Sequence, residues 1–298
     1  MWLLLGGDSE IGGATYRSLV AQGHAVAATT RRRENASDER PFLDLAAPLD
    51  DWEPPGRTSG ACVFAAVARL AACHADPVGS GHINVTQTLA VIERMLARDI
   101  HVIFLSTNQV FDGRSRHVPP DAPVSPVSEY GRQKARVETA LRGHLARGAP
   151  IAILRLAKVV SSDIPLIRGW VEALLAGKPV RAFHDMAMAP APTELVSAAI
   201  RALLADRAKG IYQLTGPFDI SYVRVARFIA SQLDAAPSLV SESSALDAGL
   251  PEGATPRHTT LDSTLMRDRY GFVVPDAWKI IENVIGTAHA HPHRTPQA

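Results

Sequence analysis

Cysteine is almost absent: the 298 residues contain two, Cys62 and Cys73. So few cysteines make no disulfide framework, and no C-x-x-C pair suggests zinc, so no metal site is expected. Long apolar runs are also missing. None approaches the ~18 residues of a membrane span, and the N-terminus has no charged signal-peptide segment. Charge of one sign is lacking too: 31 basic against 30 acidic side chains leave a net charge of +1. That balance gives no basic face for nucleic acid. A soluble cytoplasmic protein with neither nucleic-acid nor membrane partners is the expectation. With 46% hydrophobic and 20% charged residues, the chain can bury a sizeable core. Its length fits one large or two modest domains of roughly 150 residues each.

The first half alternates between two periods. Short apolar runs at 2–5, 25–30, 61–67, 101–105 and 151–156 read as buried strands. A shorter apolar patch occupies 42–45. Helical spacing separates the runs, over 11–22, 82–98 and 130–147. Such alternation predicts βαβ units, right-handed crossovers and a parallel sheet covered on both faces. The predicted class is α/β, a Rossmann-like doubly wound sheet with a smaller C-terminal lobe. Residues 1–160 form the first domain and 161–288 mainly the second, with about 193–220 returning to the sheet. Prolines 165, 179, 190 and 192 break the later chain into short pieces. Helices are predicted near 166–176, 194–205, 222–233 and 277–285, and a late strand at 210–214. The stretch 234–260 is rich in Ser, Ala, Pro and Gly, and 289–298 is expected to be a flexible, His-rich tail.

The segment Gly6-Gly7-Asp8-Ser9-Glu10-Ile11-Gly12 lies between the first strand and the first helix. Glycines there let the backbone turn sharply and approach a pyrophosphate, to which the helix N-terminus offers free N–H groups. Ser9 stands where a middle glycine is usual, and its hydroxyl is small enough to be tolerated or to bond a phosphate. Directly after the second strand come Thr30-Arg31-Arg32-Arg33, with no acid until Glu34. An acid there would hold a ribose diol, whereas arginine accommodates a 2′-phosphate. The expected cofactor is therefore NADP(H) in preference to NAD(H).

Tyr130-Gly131-Arg132-Gln133-Lys134 places a phenol and an ammonium four residues apart, on one face of a helix. Five Tyr and five Lys in the whole chain would give only about 0.08 such pairs by chance. A nearby ammonium stabilises phenolate, which makes Tyr a usable proton donor and acceptor. Ser106 and Thr107 end the 101–105 strand, and open parallel sheets bind ligands at those ends.

Together these residues resemble the extended branch of the short-chain dehydrogenase/reductase family, most closely its dTDP-4-dehydrorhamnose reductases, over nearly the whole chain. The family's S-T-D-Y-V-F-D-G reads Ser106-Thr107-Asn108-Gln109-Val110-Phe111-Asp112-Gly113. Its P-x-x-x-Y-G-x-x-K-x-x-x-E reads Pro126, Tyr130, Gly131, Lys134 and Glu138. Arg155 matches a strand-ending arginine, and Pro256 to Leu261 a degraded R-P-x-N-S-x-L. The resemblance implies a triad of Thr107, Tyr130 and Lys134, with Lys134 also holding the nicotinamide ribose. It implies that Gly6, Ser9, Glu10, Ile11 and Gly12 follow the pyrophosphate, with Arg31 and Arg32 near the adenosine ribose. Asp44 and Leu45 would sit by the adenine, and Ala65 and Ala66 under the cofactor. Asn108, Gln109, Val110, Phe111, Arg155, Pro190 and His258 would face a nucleotide-sugar substrate. Members are often dimers, so a homodimer is implied.

The departures from the family pattern fall on the substrate side. Asn108 and Gln109 replace Asp-Tyr, Pro190-Ala191 replaces Pro-Thr, and Ala71 to His74 replace an acidic-basic segment. Losing hydroxyl and aromatic contacts shifts specificity. The resemblance implies reduction of a keto group on a nucleotide-linked deoxysugar, with Tyr130 as general acid. Three alternatives stay open: a nucleotide-sugar epimerase, a reductase of another small carbonyl, and a non-catalytic cofactor-binding regulatory subunit. A 4,6-dehydratase fits less well, because neutral amides stand where its acid/base pair would be.

Overall fold

The computed structural model describes residues 1–161, 165–251, 253 and 255–290. Its strands, in chain order, are β1 (Trp2–Leu5), β2 (Val26–Ala28), β3 (Gly60–Val63), β4 (His101–Thr107), β5 (Ile151–Leu156) and β6 (Val159–Val160). There follow β7 (Val180–Phe183), β8 (Ala187–Met188), β9 (Ala191–Pro192), β10 (Gly210–Leu214), β11 (Ile220–Ser221) and β12 (Val240–Ser243). The helices are α1 (Glu10–Ala21), α2 (Leu70–Ala75), α3 (Pro77–Gly81), α4 (Thr88–Leu96) and α5 (Glu129–Ala146). Later come α6 (Pro165–Leu175), α7 (Thr193–Ala205), α8 (Tyr222–Gln232), α9 (Thr264–Tyr270) and α10 (Ala277–Ala290).

Six strands form one sheet in the order β10-β5-β4-β3-β1-β2, and every neighbouring pair is parallel. This is the Rossmann-like doubly wound α/β fold expected from the alternation. Successive side chains of a strand take opposite faces, and each face has its own core. Leu4, Cys62, Ile103 and Leu154 pack with Leu19 of α1 and Val196, Ile200 and Leu203 of α7. Leu3, Leu5, Val63, Phe104 and Ile153 pack with Val91, Ile92 and Met95 of α4 and Val137 and Leu141 of α5. The first core continues into α6, α8 and α10 through Trp170, Val225 and Ile281. A buried hydroxyl contact between Thr15 and Ser197, 3.0 Å, ties α1 to α7.

Several elements differ from the sequence expectations. The patch at 42–45 forms no strand; Phe42 makes a single bridge to Thr30. The helix expected over 82–98 is not uniform, because residues His82–Gln87 form a wide π-helical turn before α4. The Ser/Ala-rich stretch contains β12, which pairs with β7, and α9 has no counterpart among the expected helices. Helix α10 runs to Ala290, and the tail beyond it lies outside the described residues. Among the described residues no helix is long and apolar enough to cross a membrane, and no cluster of three His, Cys, Asp or Glu could hold a metal ion.

Candidate active site

The strand order reverses between β1 and β3, and ligands of open α/β sheets bind outside the C-terminal strand ends at such a switch. A cavity of about 240 Å³ opens there, lined by the residues that follow β1, β2 and β3. Gly6, Ser9, Arg31, Asp44, Leu45, Ala65 and Ala66 all line it. Arg32 does not; its amide bonds Thr30 Oγ1 and its side chain is exposed.

The loop is built around its first glycine. Gly6 has φ +102°, and a Cβ there would lie 2.7 Å from the Ala65 nitrogen, so only glycine fits the turn. A Cβ on Gly12 would lie 2.3 Å from the Gly6 carbonyl oxygen, so α1 starts directly on the loop. Ser9 caps that helix: its hydroxyl donates to the Gly6 carbonyl (2.7 Å) and accepts from the Gly12 amide (3.1 Å). The hydroxyl is therefore committed to the loop itself, and the amides of Glu10 and Ile11 are the first-turn groups left for an anion. Glycine cradle, helix N-terminus and cavity together fit a dinucleotide.

On the other side of the switch, Thr107 ends β4 and is buried. Its Oγ1 accepts from the Gln109 amide at 3.2 Å. Ser128 caps α5 by accepting from the Gly131 amide at 3.1 Å, which starts the helix so that Tyr130 and Lys134 fall within its first turns. Lys134 reaches back to the strand. Its ammonium donates to the Leu105 carbonyl at 2.8 Å, 4.4 Å from the Phe104 ring centroid and 5.8 Å from that of Tyr130. The topology thus brings Thr107, Tyr130 and Lys134 to one strand end. Among the described residues no hydrogen bond joins Tyr130 to either partner.

The electrostatics depart from the expectation of a phenol acidified by its lysine. Burial pushes the Tyr130 phenol well above its ordinary value, and the neighbouring Cys73 adds to the rise. Burial also lowers Lys134 to about 8, opposed by the charge of Glu138. Both groups are driven toward their neutral forms, because desolvation is the largest cause of each shift. A neutral Tyr130 is a loaded proton donor.

The substrate-side expectations need correction. Arg155 is fully buried: Nε and Nη2 pair with Glu138 at 3.0 and 2.7 Å, while Nη1 reaches Gln213 Oε1 and the Pro120 carbonyl. It locks α5 to the sheet and presents no donor to a ligand. Val110 and Phe111 are also buried, packed with Ala135 and Leu261 in a small cluster behind α5. Pro190 is buried with its carbonyl against Gly216. Asn108 and Gln109 are half-buried beside Thr107. His258 lies against Asp219 (3.1 Å) and Arg116 (3.2 Å), where it fastens the 256–261 segment.

Two groups at the site escape a reading of the sequence. Asn84, inside the π turn, exchanges hydrogen bonds with both backbone groups of Val67 (2.7 and 2.9 Å) and donates to Gln133 Oε1 (2.7 Å). It couples the loop after β3 to α5. The available clue is an asparagine, a poor helix former, within a predicted helix. The other is Asp8, which lines the cavity; its signal is a carboxylate inside a glycine loop.

Solved structures repeat this architecture. The hypothetical dTDP-4-dehydrorhamnose reductase of Sulfolobus tokodaii superposes with a TM-score of 0.76 at 22% identity, covering 94% of this chain and 98% of that one. UDP-glucose 4-epimerase of Thermus thermophilus, in complex with NAD, gives 0.79 at 21%, covering 97% and 99%. The dTDP-4-dehydrorhamnose reductase of Bacillus anthracis, in complex with NADP, gives 0.77 at 14%, covering 95% and 97%. At these identities the likeness shows the fold. No curated protein matches the sequence. Membership rests on the sequence itself, which matches the RmlD substrate binding domain from residue 1 to residue 288, and the chain belongs to that family.

Proposed function

We propose that the chain is an NADP(H)-preferring reductase of a keto group on a nucleotide-linked deoxysugar. The observation that carries this reading is the half-buried Tyr130 and the Lys134 ammonium, which is held at the β4 strand end by the Leu105 carbonyl, in a sheet whose neighbouring strand ends line a cavity with the glycine loop. A bound nicotinamide would supply the hydride. Thr107 would orient the substrate carbonyl with its hydroxyl, and Tyr130 would give its phenolic proton to the carbonyl oxygen. Lys134, held by the Leu105 carbonyl, would stabilise the phenolate left behind and hold the nicotinamide ribose. Glu10, Ile11 and Gly12 would follow the pyrophosphate, Arg31 the adenosine ribose, and Asp44 and Leu45 the adenine. Ala65 and Ala66 would lie beneath the dinucleotide. Asn108, Gln109 and His258 remain as proposed substrate-side residues.

The substrate class comes from the family and from the names of the similar structures, reductases and epimerases of sugar nucleotides. Incubation with dTDP-4-dehydrorhamnose, followed by loss of reduced-nicotinamide absorbance with NADPH and NADH in parallel, tests the reading. Stoichiometric consumption of NADPH is expected. Sugar inversion with no net consumption would instead identify an epimerase, and tight dinucleotide binding with neither reaction would indicate another substrate or a regulatory role.

A further inference from the structure

No acid follows the second strand in sequence before Glu34, yet a carboxylate stands directly at its end in the fold. Asp8, from the glycine loop, accepts from the Thr30 hydroxyl (2.9 Å) and the Arg31 amide (3.0 Å) through Oδ2. Its Oδ1 takes the guanidinium of Arg40 at 2.6 Å. Asp8 and Arg31 both line the cavity. A carboxylate here accepts hydrogen bonds from an unphosphorylated ribose and repels a 2′-phosphate, so its partner decides its effect.

The charges around it are sorted by their contacts. Arg33 lies over the Phe42 ring at 4.0 Å. Among the described residues Arg31 and Arg32 have no ion pair. Asp44 is bonded by the Ala46 amide. Arg40 is the cation that neutralises Asp8, and its own Nε is buried without a hydrogen-bond partner, so the guanidinium is not saturated by the protein. Asp8 is held to the end of β2 by two donors, the Thr30 hydroxyl and the Arg31 amide, whereas Arg40 approaches from the 37–40 turn with its side chain 39% exposed.

We propose that the Asp8–Arg40 pair sets which dinucleotide this chain prefers, with Arg40 cancelling a carboxylate that otherwise excludes the 2′-phosphate of NADP(H). The inference rests on the dinucleotide reading of the cavity. In NADH the ribose hydroxyls meet Asp8 itself. In NADPH the 2′-phosphate meets Arg31 and takes Arg40 in place of the carboxylate.

Calorimetric dissociation constants for NADPH and NADH test this on the full chain, Asp8→Asn and Arg40→Met. Asparagine keeps an acceptor for Thr30 and the Arg31 amide, and methionine keeps the stem, so both variants preserve the local fold. Arg40→Met should lower the NADPH-to-NADH affinity ratio by about tenfold, and Asp8→Asn should raise it by a similar factor, the scale of one charge contact near a surface. The double variant should depart from the sum of the two single effects, since the residues act through one pair, and strict additivity would make them independent and overturn the pairing. A ratio that moves less than about twofold in both single variants, while both dinucleotides still bind, overturns the selector and leaves the cavity reading intact. Absence of binding by either dinucleotide to the unaltered chain overturns both.

Discussion

The hydroxyl of Ser128 donates to Gln109 Oε1 at 3.0 Å while accepting from the Gly131 amide. One short contact thus joins the turn after the Thr107 strand to the cap of the helix carrying Tyr130 and Lys134. Gln109 stands where the family pattern has an aromatic residue, and its side chain reaches the cap of α5. Gln109→Ala should therefore cost about 0.5–1.5 kcal/mol, the worth of one hydrogen bond. It should also lower kcat along with stability. Chemical denaturation and steady-state rates check both.

The same junction forbids a side chain at position 131. A Cβ there would lie 2.1 Å from the Gln109 carbonyl oxygen, which is backbone and has no easy escape. Gly131→Ala should destabilise the protein by about 1–3 kcal/mol through overpacking, despite alanine's better helix propensity. A thermal melt higher than that of the unaltered chain would contradict the close approach.

Tyr130→Phe removes only the transferable proton. Turnover should fall about a hundred- to ten-thousand-fold, the range for a general acid, with dinucleotide affinity retained. Unchanged turnover would remove Tyr130 from the mechanism.

Lys134 links activity to pH. Its ammonium deprotonates near 8 in the folded chain, against 10.5 for an ordinary lysine, so kcat should decline as pH rises through about 8. Stability runs the other way. Between about 8 and 10.5 the unfolded chain binds a proton that the folded chain has released, so folding stability contributed by this site rises across that window. Below pH 8 the buried charge carries its full penalty. Lys134→Met should abolish turnover yet raise stability by on the order of 1–3 kcal/mol at pH 7, partly offset by the lost bond to Leu105. The gain should shrink toward pH 10, as denaturant midpoints at several pH values would show.

Glu138 and Arg155 form a fully buried pair, and Ser106 donates to the same carboxylate at 2.5 Å. Glu138→Ala would strand the Arg155 guanidinium and should cost about 3–5 kcal/mol. Changing both residues to apolar ones should recover much of that loss, as a double-mutant cycle would measure.

Periodicity and local spacing are properties of neighbours along the chain, so the sequence alone determined the six strands of the main sheet, the doubly wound class, the glycine loop and the Tyr130–Lys134 face. A motif assigns a residue to a place, however, and does not say whether its side chain is already engaged there. Arg155, Val110 and Phe111 lie at motif positions, yet the sheet and α5 close over them. The π turn that turns Asn84 toward Val67, the Gln109–Ser128 contact and the arrival of Asp8 and Arg40 at the end of β2 all join segments distant in sequence. Only the tertiary structure decided these, because burial and ion pairing depend on which elements meet when the sheet is wound.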